Sequence, residues 1–591
     1  MDDNSRSPDN LGNDSPLPAP RTAWRFPLVL ALVAAAYAST LLAGLLADDY
    51  FNLQNALDAG WSWTRLERGF VVDLSRFHDG WQPPGLANLV VKYFRPLFLA
   101  SLVADHALWG LRPFGYHLTN VLLHLLAVAL LYSVLCELLN GRRAMAAFGA
   151  LLYGLEHFHV PTVAWVSGRT EQLPALAMLA ALWSFVRFAK THKWTYYGLS
   201  VGMAWLGMLA KENAVILPLV LLAAWLWVVP RPRPALWWLV PYAVLVALYL
   251  LVRDHALGGF PLPPRSFYYH PPTEPGFVWW ALGKMVLVFY ALLFQLPLGF
   301  PADLALSRAP SVSIALLAVA IPIALWLVRV VRGERDDEWR RRGYFAAAWI
   351  VLGLLPTAPI STFGLYFYFP LGGVCLFYLV IWQRLIERGH PRWLSRPRWR
   401  KAVPIVTASL FALGPLALSW ILVLASRDAS RTMDQVAAQV GEPRDGLRIY
   451  ALDLPITASW TRSALELRWP GRRFEFHVLT ISPYLLHTSK PNTRIEQLDA
   501  RTVRLTATGW PYFSGIFGLL ITDARARDSL RAGNVWPARG YRLEVTQDEF
   551  FGRRPQRCVR QLVLHFDQPL ASPDNVFLQF YDRCVERLDM R

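Results

Sequence analysis

The chain has 591 residues, of which 54% are hydrophobic and 17% are charged, and its mean hydropathy is +0.29. Soluble domains carry about 25% charged residues, so this composition excludes an ordinary soluble protein. The formal net charge of +17 would favour nucleic-acid binding in a soluble chain. The positions of the charges therefore decide which class of protein this is.

Apolar runs fill the first 425 residues. A helix that crosses the hydrocarbon layer needs about 20 mostly apolar residues, and about eleven runs fit a polytopic transmembrane helix bundle, which makes the fold class mainly α. They are 27–46, 116–138, 213–229, 235–252, 312–328, 343–360, 366–382 and 403–425, with three interrupted runs at 144–160, 171–189 and 194–210. Residues 1–26, rich in Ser, Pro, Asp and Asn, are expected to form a disordered cytoplasmic tail.

Basic residues set the predicted orientation, because short loops rich in Lys and Arg stay on the cytoplasmic side. They lie at Arg142/Arg143, Lys190/Lys193, Arg231/Arg233, Arg329–Arg342 and Arg384–Lys401. To keep these loops inside, the apolar run 277–298 is interpreted as a re-entrant or interfacial helix. Most of the positive charge then serves to keep loops on the cytoplasmic side, and no nucleic-acid partner is expected.

The region 426–591 differs from the membrane domain 27–425, since it has no long apolar run. Short alternating stretches predict a small, outward-facing, all-β, antiparallel sandwich-like domain with an accessory role. The predicted strands are Arg448–Leu452, Ala464–Trp469, Phe474–Ile481, Thr502–Thr506, Gly515–Ile521, Tyr541–Thr546, Val559–Phe566 and Val576–Tyr581. Cys558 and Cys584 both lie in this domain and could form a disulfide if the compartment oxidises.

Two adjacent carboxylates, Asp48 and Asp49, follow the first apolar run directly. At a membrane surface such a pair suits a base, a metal ligand or a sugar-phosphate contact. Desolvation and the neighbouring charge should raise their pKa values. Taken alone, the pair is better explained as a polar stop after a span.

Other polar residues mark the same predicted outer side. Tyr93, Arg95 and Asp105 lie in and after the first outer loop. His117, Asn120 and His124 share one helix face because their spacing is i, i+3 and i+7. Hydrogen bonding between helices is the simpler interpretation for His124, whereas His117 lies near the outer surface and could reach a substrate.

Two outer turns add further candidates. The first contains Glu156, His159 and Arg169, and the second contains Lys211 and Glu212. A buried Lys near the surface needs a partner, which Glu212 could supply. Alternatively, Lys and Arg here could hold a lipid-linked phosphate through charge-assisted hydrogen bonds.

Several motifs resemble a known family. The stretch from Tyr93-Phe-Arg-Pro-Leu through Asp105 to Pro113-Phe-Gly-Tyr-His117-Leu-Thr-Asn120 and His124 resembles the membrane portion of the transmembrane-and-tetratricopeptide O-mannosyltransferases and their bacterial relatives. Trp165-Val-Ser-Gly-Arg169-Thr, Ala210-Lys211-Glu212 and Leu365-Tyr-Phe-Tyr-Phe-Pro370 continue the similarity. These are GT-C glycosyltransferases, and the resemblance extends over about residues 25–425 without the tetratricopeptide repeats.

The resemblance implies an inverting glycosyltransferase that takes a sugar from a polyprenyl-phosphate donor on the outer face. It assigns the essential carboxylate to Asp48 or Asp49, with Asp49 preferred, and the donor phosphate to Arg95, Arg169 and Lys211. Substrate-site candidates are Tyr93, Asp105, His117, Asn120, Glu156, His159 and Glu212. The family's His-Pro-x-His turn reads Glu156-His157-Phe158-His159 here, so the sugar and the acceptor (protein, lipid or glycan) stay open.

No metal requirement follows from the residues, although the superfamily leaves a divalent ion, Mg or Mn, open. The composition favours a bacterial inner membrane, with membrane lipids around the bundle and the C-terminal domain in the periplasm. The alternatives are a polyprenyl-linked glycan transporter or flippase, and a non-catalytic envelope assembly protein.

Overall fold

The structure is a computed structural model. It describes residues 25–59, 71–73, 79, 92–230, 235–259, 269–294, 318, 322, 325–326, 329, 331–333, 336–360, 363–388, 396–455, 458, 460–482, 490–514, 526–552 and 555–591. Residues 1–24 of the predicted tail, most of the predicted span 312–328 and the predicted strand Gly515–Ile521 lie outside these residues.

Helices make up most of the described chain before residue 441. They are α1 (Arg25–Tyr37), α2 (Asp48–Ala59), α3 (Pro96–Trp109), α4 (Pro113–Leu138), α5 (Arg143–Gly154), α6 (Val160–Ala164), α7 (Arg169–Thr191), α8 (Trp194–Ala210), α9 (Leu217–Trp227), α10 (Val240–Leu257), α11 (Phe277–Phe294), α12 (Asp337–Leu354), α13 (Pro370–Arg388) and α14 (Pro397–Val440). A short antiparallel pair, β1 (Val71–Asp73) and β2 (Lys92–Phe94), lies between α2 and α3.

Among the described residues, four helical segments are long and apolar enough to cross a membrane. They are Pro113–Leu138, Val166–Thr191, Leu236–Leu257 and Pro397–Val440. The predicted count of eleven spans is therefore not confirmed. The predicted run 144–160 shows one reason: α5 ends at Gly154, a 3-10 turn follows at His157–His159, and Val160–Ala164 forms only a short helix. The run predicted to be re-entrant has a short described apolar stretch, Phe277–Val286.

Burial separates central helices from peripheral ones. In Val166–Thr191, 78% of the most apolar window is buried by protein, whereas the values for Leu236–Leu257 and Pro397–Val440 are 11% and 17%. Exposed Leu, Val and Trp side chains on the latter two suit contact with lipid. The segment that carries Arg169 and Glu171 therefore lies at the centre of the bundle.

Two sheets form the C-terminal domain, and they pack face to face. A mixed four-stranded sheet has the order β11-β10-β3-β4, and a five-stranded antiparallel sheet has the order β5-β6-β9-β8-β7. The strands are β3 (Arg448–Leu452), β4 (Glu475–Val478), β5 (Thr493–Gln497), β6 (Thr502–Ala507), β7 (Val535–Ala538), β8 (Tyr541–Phe551), β9 (Gln556–Phe566), β10 (Asn575–Tyr581) and β11 (Cys584–Leu588). Tyr450 and Phe577 of the first sheet share one core with Leu505, Leu543 and Leu564 of the second.

The prediction for this domain needs three corrections. Residues Thr461–Arg468 form a helix, α15, where a strand was predicted over Ala464–Trp469. The pairs β10/β3 and β3/β4 are parallel, so the sandwich is not purely antiparallel. Cys558 and Cys584 are both free thiols, the first buried in β9 and the second exposed at the start of β11, so the suggested disulfide is not formed.

Helix α14 connects the bundle to this domain without a break. It runs through the predicted domain boundary at residue 426 and ends at Val440. Met433, Val436 and Ala437 near its end pack into the outer face of the mixed sheet together with Leu465 of α15. The C-terminal domain thus has a layer of helix, a mixed sheet and an antiparallel sheet, and its core includes the end of a membrane-length helix.

Candidate active site

The loop after α1 brings the two predicted carboxylates to the start of α2. Carboxylates in the first turn of a helix interact favourably with the partial positive charge at its N-terminus. Asp49 Oδ2 accepts a hydrogen bond from the Leu46 backbone N–H at 2.9 Å. Asp49 Oδ1 accepts two more, from the backbone N–H and the hydroxyl of Ser167, both at 2.7 Å. Asp49 therefore joins the first loop to the turn before α7.

Asp48 is placed differently from Asp49. Its side chain is half-buried, and its Oδ1 atom is buried without a hydrogen-bond partner. Burial, and then the charge of Asp49, raise the pKa of Asp48 to about 8, although donors at Ser167 and Trp165 counteract part of this shift. Burial raises the pKa of Asp49 to about 6, against the hydrogen bonds from Leu46 and Ser167. Both oxygens of the Asp49 carboxylate thus accept hydrogen bonds, whereas Oδ1 of the neighbouring Asp48 carboxylate remains free to accept one.

Two cations lie in the same region, each bound to a carboxylate. Arg95 makes a two-pronged ion pair with Glu212, with Nη2 to Oε1 at 2.6 Å and Nε to Oε2 at 3.1 Å. Its guanidinium also stacks 4.2 Å from the centre of the Tyr93 ring. The ammonium of Lys211 pairs with Glu171 and lies 4.7 Å from the centre of the Tyr366 ring.

Electrostatic interactions at Tyr93 link Asp48 to this group. The pKa of Tyr93 is raised to about 12, mainly by burial, while Arg95 lowers it and the charges of Glu212 and Asp48 raise it. Tyr93 therefore interacts electrostatically with Asp48 and with both members of the Arg95–Glu212 pair. The structure brings together the candidate base, Tyr93 and both of the candidate phosphate-binding cations Arg95 and Lys211.

Arg169 is not part of this group, because it is fully buried and its donors are already in use. Its Nη2 donates to Asp105 Oδ2 at 2.5 Å and to the Tyr116 carbonyl at 3.1 Å. Its Nη1 donates to Ser101, and its Nε donates to Asn120 at 2.9 Å. This arrangement joins α3, α4 and α7 and leaves no N–H free for a donor phosphate.

The polar face predicted on α4 supports neighbouring loops. His117 Nε2 lies 3.1 Å from the Gly44 carbonyl, and Asn120 Nδ2 donates to the Trp165 carbonyl at 2.9 Å. Asn120, Asp105 and His117 are all buried, so a substrate cannot reach them in this arrangement. His124 Nδ1 lies 2.6 Å from the Tyr368 hydroxyl, which matches its predicted role in hydrogen bonding between segments.

The turn Glu156–His159 also lies in the interior. Glu156 is 1% exposed and pairs with His157 Nδ1 at 2.9 Å. The His159 ring lies between the rings of Tyr153 and Tyr368, with centroid distances of 4.4 and 4.3 Å. The rings of Tyr153, His159 and Tyr368 form a buried aromatic cluster with His124.

Sequence reasoning missed three residues of the site. Ser167 anchors Asp49, Glu171 holds Lys211, and Tyr366 covers the Lys211 ammonium. Each lay inside a motif that the sequence had already singled out, but nothing in a linear pattern shows which carboxylate meets which cation. A buried Lys needs a counter-ion, and the partner is Glu171 instead of the adjacent Glu212.

A resident metal ion does not fit the described residues. Across the described parts of the chain, no group of three or more His, Cys, Asp or Glu side chains converges on a point that could hold one. Asp48 and Asp49 supply only a pair of carboxylates, and Asp49 is saturated by hydrogen bonds. The possible use of a divalent ion, Mg or Mn, stays a prediction.

Residues 96–253 match the family model of dolichyl-phosphate-mannose-protein mannosyltransferase. This part of the chain is a mannosyltransferase-like segment. Among curated relatives, the protein O-mannosyl-transferase Tmtc1 of Drosophila melanogaster is 31% identical over 185 residues, which cover 31% of this chain and 21% of the relative. TMTC3 of Mus musculus is 28% identical over 191 residues, which cover 32% of this chain and 20% of the relative.

The mannosyltransferase-like segment contains or adjoins most of the site. The predicted resemblance to the O-mannosyltransferases is confirmed, and the family match covers the part of it between residues 96 and 253, which includes the motifs at Trp165–Thr170 and Ala210–Glu212. The chain spans about a fifth of the length of these curated relatives.

Two solved structures also align with the chain beyond this segment. ArnT from Cupriavidus metallidurans bound to undecaprenyl phosphate aligns over 92% of this chain and 98% of its own, with a TM-score of 0.45 and 14% identity. The arabinofuranosyltransferase AftD from Mycobacteria aligns over 91% of this chain and 40% of its own, with a TM-score of 0.42 and 13% identity.

Proposed function

We propose that the protein is a membrane glycosyltransferase of the GT-C type. It transfers a sugar from a polyprenyl-phosphate-linked donor to an acceptor hydroxyl, with inversion at the anomeric carbon. The observation that carries this proposal is the buried Oδ1 of Asp48, which has no hydrogen-bond partner. Asp48 and Arg95 both act electrostatically on Tyr93, and Arg95 and Lys211 are each paired with a carboxylate. The mannosyltransferase family match over residues 96–253 supports the proposal, because the matched stretch contains part of the candidate site.

The proposed reaction needs one base. The acceptor hydroxyl gives its proton to the Asp48 carboxylate, and its oxygen forms a new bond to the anomeric carbon of the sugar. The bond from that carbon to the phosphate oxygen breaks, and the lipid phosphate leaves with the bonding electrons. Inversion requires only a base on the face opposite the leaving group, so no covalent enzyme intermediate forms.

Charge that develops on the leaving phosphate needs nearby cations. The side chains of Arg95 and Lys211 are 13% and 7% exposed, and the side chain of Glu212 is the most exposed member of the group at 36%. A donor phosphate would therefore replace Glu212 at Arg95, while Lys211 stays paired with the buried Glu171. Asp49, held by three hydrogen bonds, keeps the first loop in place beside Asp48.

The donor and acceptor classes follow from the relatives. The matching family model is described by a dolichyl-phosphate-mannose donor and a protein acceptor, so a polyprenyl-phosphate sugar and a protein hydroxyl are the first substrates to test. Asp48 follows the first apolar helix, and the basic loops are predicted to lie on the cytoplasmic side, which supports a site on the outer face. In a bacterium this is the periplasmic face of the inner membrane.

The direct test is sugar transfer in proteoliposomes that contain the purified chain. A labelled polyprenyl-phosphate sugar and a hydroxyl-containing acceptor peptide or extracted envelope acceptor should give labelled product. Movement of the labelled lipid across the bilayer without transfer would instead support the transporter alternative. Deletion of the gene should cause the corresponding lipid-linked sugar to accumulate.

Transfer should increase with pH between about 6 and 8. Asp48 accepts a proton only as a carboxylate, and its pKa is about 8, so its active fraction grows as pH rises and levels off above that value. Below pH 6 the slope should steepen, because Asp49, with a pKa of about 6, also becomes protonated. Measuring kcat/KM from pH 5 to 9 tests this, and a flat profile would exclude Asp48 as the base.

Removing either cation should weaken donor use more than acceptor use. A charge-assisted hydrogen bond contributes about 1.5–3 kcal/mol, so Arg95→Met should lower kcat/KM for the donor about 10- to 100-fold. Lys211→Met combined with Glu171→Gln, which leaves no buried unpaired carboxylate, should have a similar effect. Glu212→Gln is the informative companion, because it removes the competing carboxylate and should leave the donor KM equal or lower. The exposed Lys193→Met serves as a control that keeps wild-type kinetics. Unchanged donor kinetics in both cation variants would refute the phosphate assignment.

A further inference from the structure

The C-terminal domain touches the helix that carries the two aspartates. Helix α2 has 12 residues, and isolated helices of this length are marginal in water. Its position therefore depends on what packs against it. Phe51 and Leu53 of α2 are each 1% exposed, and they share a core with Phe98, Leu99 and Leu102 of α3.

The opposite contact of α2 comes from outside the membrane bundle. The Phe51 ring stacks on the ring of Trp460, with centroids 4.4 Å apart and planes inclined by 26°. Trp460 immediately precedes α15, whose Leu465 is buried in the core of the C-terminal domain. Phe51 is thus held between α3 and a residue of the C-terminal domain.

Polar contacts fix the same interface. Gln54 Nε2, one turn after Phe51, donates to Glu466 Oε2 of α15. Arg462 of α15 donates to Glu466 at 3.0 Å and to Asp79 at 2.9 Å. Asp79 belongs to the chain between α2 and α3, so the C-terminal domain grips the first outer loop at two points.

A second contact lies upstream of the aspartates. The Gly44 backbone N–H donates to Ser426 Oγ of α14 at 3.0 Å. A Cβ on Gly44 would lie 2.2 Å from Ser430 Oγ, so only glycine allows this approach. The segment from Gly44 to Gln54, with Asp48 in its middle, is therefore clamped at both ends by α14 and α15.

We propose that Trp460 is a positioning residue for Asp48, and that the C-terminal domain is a structural part of the active site. Phe51 lies three residues after Asp48, on the next turn of the same helix, so a shift of the Phe51 ring moves the Asp48 carboxylate. The cations Arg95 and Lys211 lie on other segments, Arg95 at the start of α3 and Lys211 at the end of α8. The catalytic part of this inference rests on the proposed function.

Three variants separate positioning from general destabilisation. Trp460→Ala should lower kcat about 10- to 100-fold with little change in the donor KM, because a displacement of about 1 Å can cost that much in rate. Trp460→Phe keeps an aromatic ring against Phe51 and should restore most of the rate. Trp510→Ala removes a ring from the distant antiparallel-sheet side of the domain and should be neutral.

A structural readout keeps the test independent of the transferase proposal. Hydrogen–deuterium exchange of the peptide 48–59, in the full-length protein in nanodiscs, should be faster in Trp460→Ala than in wild type, Trp460→Phe or Trp510→Ala. If Trp460→Ala does not fold, Gln54→Ala should show a smaller change in the same direction. Unchanged exchange in folded Trp460→Ala overturns the positioning role. Faster exchange with no transfer by wild type refutes the proposed function alone.

Discussion

Replacing Asp48 by Asn should lower kcat about 10²- to 10⁴-fold, which is the range that a general base contributes. The substitution should leave folding intact. Asp48 Oδ1 has no partner to lose, and with a pKa of about 8 the side chain is already mostly protonated at neutral pH. An amide of the same shape therefore changes the chemistry without changing the packing. Transfer assays combined with thermal unfolding in detergent measure both effects.

Asp49→Asn is the matched control, because it has the same size and lies one residue away. It places an NH₂ group among the three donors from Leu46 and Ser167, so it should destabilise the protein by about 1–3 kcal/mol. Its activity should fall through misplacement of the first loop. An active Asp48→Asn with an inactive but stable Asp49→Asn would assign the base to Asp49. Full activity in both single variants and in the double variant would exclude either carboxylate as the base.

Replacing Arg169 by Met should cause the largest loss of stability among the variants considered. Arg169 is fully buried, and its removal leaves the Asp105 carboxylate buried without its cation. Breaking a buried pair in this way costs about 3–5 kcal/mol. The expected result is low yield and a clear fall in the unfolding temperature of the detergent-solubilised protein.

Two further variants serve as controls for the loss of stability in Arg169→Met. Arg187→Met removes a partly exposed partner of Glu137 from the same helix and should cost about 1 kcal/mol or less. The double variant Arg169→Met/Asp105→Asn should be more stable than Arg169→Met, because the orphan charge is gone. If Arg169→Met folds normally but loses donor binding, Arg169 contacts the phosphate as the sequence first suggested.

Sequence reasoning performed best where one local pattern decides the structure. The strand Arg448–Leu452 has the predicted bounds, and the carboxylates after the first apolar run lie at the site. It failed where alternation and helix preference compete. Ala464-Leu-Glu-Leu-Arg-Trp469 alternates like a strand, but its Ala, Leu, Glu and Arg favour helices, and as a helix it places Leu465 in the core.

The sequence did not show which residues that lie far apart in the chain form ion pairs at the candidate site. Arg169 and Lys211 were recognised as unusual cations, but their partners Asp105 and Glu171 lie 64 and 40 residues away. Which cation is consumed by a structural ion pair depends on how the helices pack, and no periodicity encodes this. The same holds for Cys558 and Cys584, since a disulfide requires a specific distance and orientation that sequence spacing does not give.

The length of helix α14 links the thickness of the bilayer to the segment that holds Asp48. At 1.5 Å per residue, its 44 residues span about 66 Å, roughly twice the hydrocarbon thickness of a bilayer. Its final 15 residues, from Ser426 to Val440, contact Gly44 and enter the core of the C-terminal domain. A thinner or thicker bilayer changes the tilt of such a helix. The acyl-chain length of the surrounding lipids is therefore expected to act, through α14, on the segment that holds Asp48.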